Sequence, residues 1–169
     1  MNENLYIENI LETRVCLSPE ELTANYEDLL FGKVKKQFEK TCLKNIGYIT
    51  QVIKIHEFIH EEIMKMVPDV FFLLKVKVKS YIPNIGDQVK MNVDFVFNHG
   101  VFGAFEKIKI LIPIQICEID WNTQQDFTGL YLVSKKDPQK TIKKGMNIIV
   151  ELNKIRFEKD NFSCLAKII

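Results

Sequence analysis

The chain is poor in turn-formers, with 7 glycines and 5 prolines in 169 residues, and it carries 1 tryptophan and 3 histidines. That scarcity excludes a collagen-like or low-complexity sequence, and no internal repeat is present. The 4 cysteines, Cys16, Cys42, Cys117 and Cys164, lie far apart and form no CxxC pair. Neither a disulfide scaffold nor a zinc ribbon is predicted; buried thiols in a reducing compartment are. No apolar run approaches the ~18 residues of a membrane helix. The densest runs, residues 70–74 and 110–117, are short and read as buried strands. Residues 1–5 have neither the basic start nor the apolar stretch of a secretory leader, so none is expected. No charge of one sign dominates: 23 Lys+Arg face 22 Asp+Glu, for a formal net charge of +1. Such a balance excludes coating nucleic acid by bulk electrostatics and leaves only a local patch for that purpose. A glycine-rich phosphate loop is also missing, because Gly100-Val101-Phe102-Gly103 follows a predicted hairpin and opens no helix. No Ser/His/Asp set can be assembled from so few histidines.

What is present is an ordinary folding composition, 47% apolar and 27% charged, sufficient for one domain or two small ones. Residues 5–17 read as a strand. Ser18-Pro19-Glu20-Glu21 then carries three helix-start signals: a capping serine, a proline where its missing N–H costs nothing, and a glutamate able to reach back. Leu22, Tyr26, Leu29, Leu30, Val34 and Phe38 follow at helical spacing, with Glu27, Asp28, Lys35, Lys36 and Glu39 on the opposite face. Asn45-Ile46-Gly47 is expected to stop this helix. From Tyr48 the period changes to two. Residues 48–55 and 70–81 read as strands, the second alternating Phe72, Leu74, Val76 and Val78 with Lys75, Lys77 and Lys79. Between them, the charged, methionine-rich residues 57–68 read as a short helix or a protruding loop. Pro83-Asn84-Ile85-Gly86-Asp87 is the clearest break and is taken as the boundary between domains 1–82 and 83–169.

The second domain reads as all-β. Residues 88–98 and 101–105 are strands joined by a turn at His99-Gly100, and residues 107–117 are the third. Residues 145–156 and 162–169 form a second hairpin around Lys159-Asp160-Asn161. The intervening residues 118–144 are a polar connection holding Trp121 and Lys135, Lys136, Lys140, Lys143 and Lys144, a cluster expected to be solvated loop. Five strands in a 3+2 arrangement with a long connection predict a small closed barrel of the oligonucleotide-binding type. The predicted fold class is therefore α+β: a mixed αβ domain followed by a five-stranded barrel. Phe95 and Phe97 share strand parity and are expected to fill it. Formal charge is −1 through residue 80 and +2 after it, a small bias toward the second half as the nucleic-acid side.

His56-Glu57-Phe58-Ile59-His60 is a literal HExxH, the spacing that places two imidazoles on one helix face for zinc with a glutamate as base. A zinc peptidase also needs a third protein ligand and an open coordination position. His99, the only other histidine, falls in a predicted turn of the other domain, and a strand runs straight into the motif. The string reads as coincidence, and neither metal nor cofactor is expected.

Gly86-Asp87-Gln88-Val89-Lys90 opens a strand that turns at Asn98-His99-Gly100 and continues as Val101-Phe102-Gly103, an order that resembles the start of an S1 domain. Residues 108–113, 145–150 and 161–165 resemble its later strands. The S1 resemblance implies single-stranded RNA held by stacking on His99 and Phe102, with phosphates contacted by Lys107, Lys109, Lys154 and Arg156. Phe102 is read either as such a platform or as barrel core. The third strand has Leu111 or Ile112 where that family often has a histidine.

Taken with the first domain, the ordered set of residues 15–22 (Val-Cys-Leu-Ser-Pro-Glu-Glu-Leu), 47–52, 70–78, 83–89 and 145–155 is similar to the seventh-subunit family of multisubunit DNA-directed RNA polymerases, which includes its archaeal counterparts. Membership would imply a non-catalytic stalk subunit whose N-terminal tip domain docks on the polymerase core near the clamp. A fourth-subunit-like partner (archaeal F-like) would pack beside it, and the barrel would meet nascent single-stranded RNA. Phe58, Ile59, Met64 and Met66 would then touch the core. The family usually has glycines in this region, and this chain does not. No membrane association is implied; the setting would be intracellular, nuclear in a eukaryotic cell or cytoplasmic (virus factory or virion) in a large DNA virus. The alternative reading is a free-standing S1-type RNA-binding protein.

Overall fold

Alternating apolar residues in the first part of the chain build β1 (Ile7–Leu17), β2 (Cys42–Leu43), β3 (Gly47–Ile63) and β4 (Val70–Tyr81), an antiparallel sheet in the order β1-β4-β3-β2. The computed structural model describes residues 5–127 and 129–169, and the chain divides into two units, Met1–Ile82 and Pro83–Ile169. In the first unit, α1 (Tyr26–Phe38) lays Leu30 and Val34 onto one sheet face, against Val15, Leu17, Ile49, Val52, Phe72, Leu74, Val76 and Val78. Burial of this apolar face, more than helix propensity, holds so short a helix in place.

The helix begins later than the sequence predicts. Ser18 N–H does donate to Glu21 Oε2 at 2.9 Å, but the turn so closed is a 3₁₀ turn, Pro19–Glu21. Thr23 N–H then donates to Glu21 O at 2.9 Å and Tyr26 N–H to Thr23 O at 3.2 Å, tight turns that re-aim the chain. Leu22 is consequently left exposed, outside the stripe that its spacing predicts. Glu21 has a second partner: Lys33 Nζ donates to its Oε2 at 2.7 Å, and that bond holds the carboxyl below its usual range. The helix ends at Phe38, with Lys40 in the left-handed region at φ 60°. Asn45-Ile46-Gly47 is not its stop. Gly47 instead opens β3 at φ +88°, where a Cβ would lie 2.1 Å from the Tyr81 carbonyl oxygen. Gly32, by contrast, sits inside α1 with nothing within 4 Å of the place an added methyl would take. Gly32→Ala is expected to stabilise the protein by about 0.5–1 kcal/mol, read as a higher urea midpoint, because it removes backbone entropy from the unfolded chain.

Residues 57–68 are neither a helix nor a free loop. Most of them continue β3, which runs beside β4 from Tyr48 opposite Tyr81 to Ile63 opposite Val70. Four register shifts, at Ile49/Gln51, Val52/Lys54, Ile55/Glu57 and Phe58/His60, let the 16 residues of β3 from Tyr48 to Ile63 match the 12 of β4. Each bulge flips the in/out parity, which erases the two-residue period from the sequence.

The second unit contains β5 (Gln88–Phe97), β6 (Gly100–Phe105), β7 (Ile108–Pro113), α2 (Ile114–Asp120), β8 (Trp121–Asp126), β9 (Gly129–Ser134), β10 (Thr141–Ile142), β11 (Asn147–Glu158) and β12 (Asn161–Ile168). Five of these strands close a barrel in the order β11-β12-β7-β6-β5, antiparallel except where β12 runs parallel to β7. The fold class read from the sequence, α+β with an OB-type barrel, is the one observed. Val89, Met91, Val93, Val101, Ile110, Ile112, Val150, Leu152, Cys164 and Ala166 are among its buried residues.

Two features differ from expectation. The third strand stops at Pro113 instead of running to Cys117, because the chain turns into α2 there and Ile114 N–H donates to His99 O at 2.9 Å. Residues 118–144 are no mere connection but carry the sheet β10-β9-β8. Among the described residues of that sheet only Leu132 and Ile142 are buried, so most of its positions face water and its sequence reads as polar. None of the four cysteines is in a disulfide; burial pushes the Cys117 and Cys164 thiols up to about 11. Among the described residues no helix is long and apolar enough to cross a membrane.

Candidate nucleic-acid interface

On a barrel, residues paired across strands share a face, and those out of phase with the buried set point outward. Phe102 on β6 stands opposite Phe95 on β5 and Leu111 on β7; Leu111 stands opposite Leu165 on β12, and Leu165 opposite Lys154 on β11. One outward row thus crosses all five strands, aromatic at one end and cationic at the other. The next row runs Ala104, Lys109, Ser163, Arg156. From Phe102 to Lys154 and from Lys109 to Arg156 the rows line a groove of about 600 Å³ whose walls include Phe97, Phe102, Leu111, Lys109, Lys154 and Arg156. Among the described residues no carboxylate lines it.

Four of the six residues assigned to RNA from the sequence therefore converge: Phe102, Lys109, Lys154 and Arg156. Phe102 is half-buried and faces the groove, while Val101 and Gly103 on either side take the interior. The other two do not join them. His99 sits exposed in the link between β5 and β6, its ring edge-on to Phe97 at 6.2 Å, and is not a groove residue. Lys107 is exposed in the turn before β7, not on the strand, and lies outside the groove too. Arg156 pairs with Glu158, an exposed contact of the kind that gives way readily to phosphate. Lys109 and Lys154 enter no ion pair among the described residues. Cys164 lies against the groove, but burial keeps its thiol neutral, so it supplies an apolar surface and no nucleophile.

Phe95 and Phe97 do not fill the barrel. The β5–β6 register shifts between Val93 and Phe95, so residues after Val93 change face. Phe95 is 55% exposed, with Lys144 Nζ 4.9 Å above its ring, and Phe97 becomes a groove wall. Sequence parity places both residues inward; only the bulge reverses it. Leu111 and Leu165 were legible as outward positions, being out of phase with Ile110, Ile112 and Cys164. The lysine cluster is likewise more ordered than a solvated loop. Lys143 Nζ lies 4.4 Å over Tyr131 and 3.3 Å from Asp126.

In the first unit, Phe58, Ile59, Met64 and Met66 lie at the end of the β3–β4 hairpin, all exposed, and Ile63 there is 77% exposed. His56 and His60 are exposed on β3, not on a helix. Four residues of strand span ~13 Å, so the HExxH spacing cannot bring both imidazoles to one ion. Among the described residues no group of three or more His, Cys, Asp and Glu is placed to hold a metal. A hollow of about 230 Å³ beside His60 is lined by Arg14 and Glu62, which bond each other at 2.7 Å, the guanidinium also stacking on Phe71 at 4.2 Å. Its charges are already matched. No known protein family's model matches the chain, and no curated protein shows significant similarity to it.

Proposed function

We propose that the chain is a non-catalytic stalk subunit of a multisubunit DNA-directed RNA polymerase, whose barrel holds emerging single-stranded RNA. The observation that carries the RNA part is the groove itself: an aromatic wall of Phe97 and Phe102 beside Lys109, Lys154 and Arg156, with no carboxylate among its described lining residues and only the exposed Glu158 paired to Arg156. Bases stack on such faces whatever their identity while cations track the phosphates. The stalk part is supported by the ordered sequence resemblance across both units and by the apolar end of the β3–β4 hairpin, whose Phe58, Ile59, Met64 and Met66 offer a docking surface for the polymerase core. A fourth-subunit-like partner and an intracellular setting belong to the same reading.

Three groove cations predict a modest, salt-sensitive affinity. Log K for a single-stranded oligouridylate should fall with log salt at a slope of about −2, and Phe102→Ala should weaken binding by about 1–3 kcal/mol in fluorescence anisotropy. A slope near zero would argue that no phosphates are tracked. Affinity purification of the chain from its native source should recover the large polymerase subunits in stoichiometric amount. The groove is complete within one unit, which favours a free-standing S1-type RNA-binding protein as the second reading. RNA binding without recovered polymerase would select it.

A further inference from the structure

The exposed Phe95 is left unused by the groove described above. Its Cα stands in register with Phe102 one strand away, so the two rings occupy adjacent outward positions. Lys144 is brought over the Phe95 ring by the main chain: Gly145 N–H donates to Val93 O at 2.7 Å and Val93 N–H to Met146 O at 2.8 Å, which pins the segment before β11 alongside β5. The neighbouring Lys143 is committed to Asp126 and Tyr131, whereas Lys144 is exposed and enters no ion pair among the described residues. A half-exposed phenylalanine with one free ammonium above it repeats, at the edge of the groove, the aromatic-plus-cation chemistry of the groove itself.

Resting on the RNA-binding reading of that groove, we infer that Phe95 and Lys144 form a second base-stacking station that extends the single-stranded RNA path beyond Phe102. The base takes the ring face and the ammonium moves to the phosphate that follows. From Lys154 on β11 across β12, β7 and β6 to Phe95 on β5 is four strand spacings, ~19 Å around the surface. That length matches the shortest footprint of an OB fold, about four nucleotides. The path therefore gains an aromatic station beyond the groove, and a ligand that extends from Lys154 only as far as Phe102 cannot sense it.

The test uses the full chain with a labelled uridine trinucleotide and octanucleotide in fluorescence anisotropy. Phe95→Ala and Lys144→Ala are each expected to weaken the octanucleotide, the former about tenfold, while leaving the trinucleotide unchanged. Phe102→Ala should weaken both. If Phe102→Ala weakens the octanucleotide and Phe95→Ala does not, the second station is refuted and the groove stands. If Phe102→Ala changes neither, the groove reading itself falls and the station with it. A Phe95→Trp, Trp121→Phe variant gives a readout independent of truncation: octanucleotide should quench its emission, and unquenched emission at saturation would overturn the station.

Discussion

Replacing Gly103 by Ala is expected to destabilise the protein by about 3 kcal/mol or more. The added Cβ would meet the Asn92 carbonyl oxygen at 2.1 Å and the Met91 side chain at 3.0 Å. The oxygen belongs to a neighbouring strand's backbone and cannot swing aside as a flexible side chain would. Gly103 thus lets β5 bend closely across β6 at the place where its register shifts, between Val93 and Phe95. The bend has a functional sequel, since the same shift turns Phe95 and Phe97 out of the interior. The measurement is urea denaturation followed by the emission of Trp121, the sole tryptophan, which lies in the barrel unit and reports its unfolding. A variant that unfolds at the wild-type midpoint would show that β5 and β6 can separate without cost, contrary to the close approach described.

The second large effect is expected at Leu30, the fully buried anchor of α1. Leu30→Ala should cost about 2–5 kcal/mol, since it removes apolar surface from water-free packing and leaves a cavity the sheet cannot fully close. The sheet face beneath is lined by Val76, Val78, Leu74 and Ile49, all of them buried to 1% exposure or less. Strand hydrogen bonding holds their backbones fixed, so they cannot collapse into the gap. Leu30→Met, which keeps the volume, should cost less than about 1.5 kcal/mol. Circular dichroism during urea denaturation separates the two. Equal midpoints for both variants would mean that α1 does not depend on this contact.

Within the candidate site, the outward positions of β7 and β12 are readable from the sequence. Lys109 and Leu111 alternate with the buried Ile108, Ile110 and Ile112, so the side each takes follows from the two-residue period, whereas Lys154 and Arg156 share the parity of the buried Val150 and Leu152 and are turned outward only by the register shift between Leu152 and Lys154. His99 lies in the turn that the sequence predicts and Lys107 in the turn before β7 instead of on the strand; in turns alternation no longer governs direction, and neither residue lines the groove. Residues 57–68 failed differently. Their sequence is charged and rich in exposed apolar residues because most of this stretch is the edge of the sheet, outside β4 and β1, where each residue of β3 from His56 to Ile63 is exposed and no buried face produces a pattern.

By itself, then, the order of residues determined the elements whose periodicity is uninterrupted, the body of α1, β4, β7 and β12, together with the break at Pro83. It also excluded the function classes that need a phosphate loop, a cysteine framework or a dominant charge. Only the tertiary structure decided which faces of bulged strands look inward, that the HExxH string lies extended along β3, and that Phe95, Phe97 and Phe102 share one surface with cations from neighbouring strands. The physical reason is that side-chain direction in a strand is a local alternation until an extra residue is inserted, and whether one is inserted depends on how the partner strand bends.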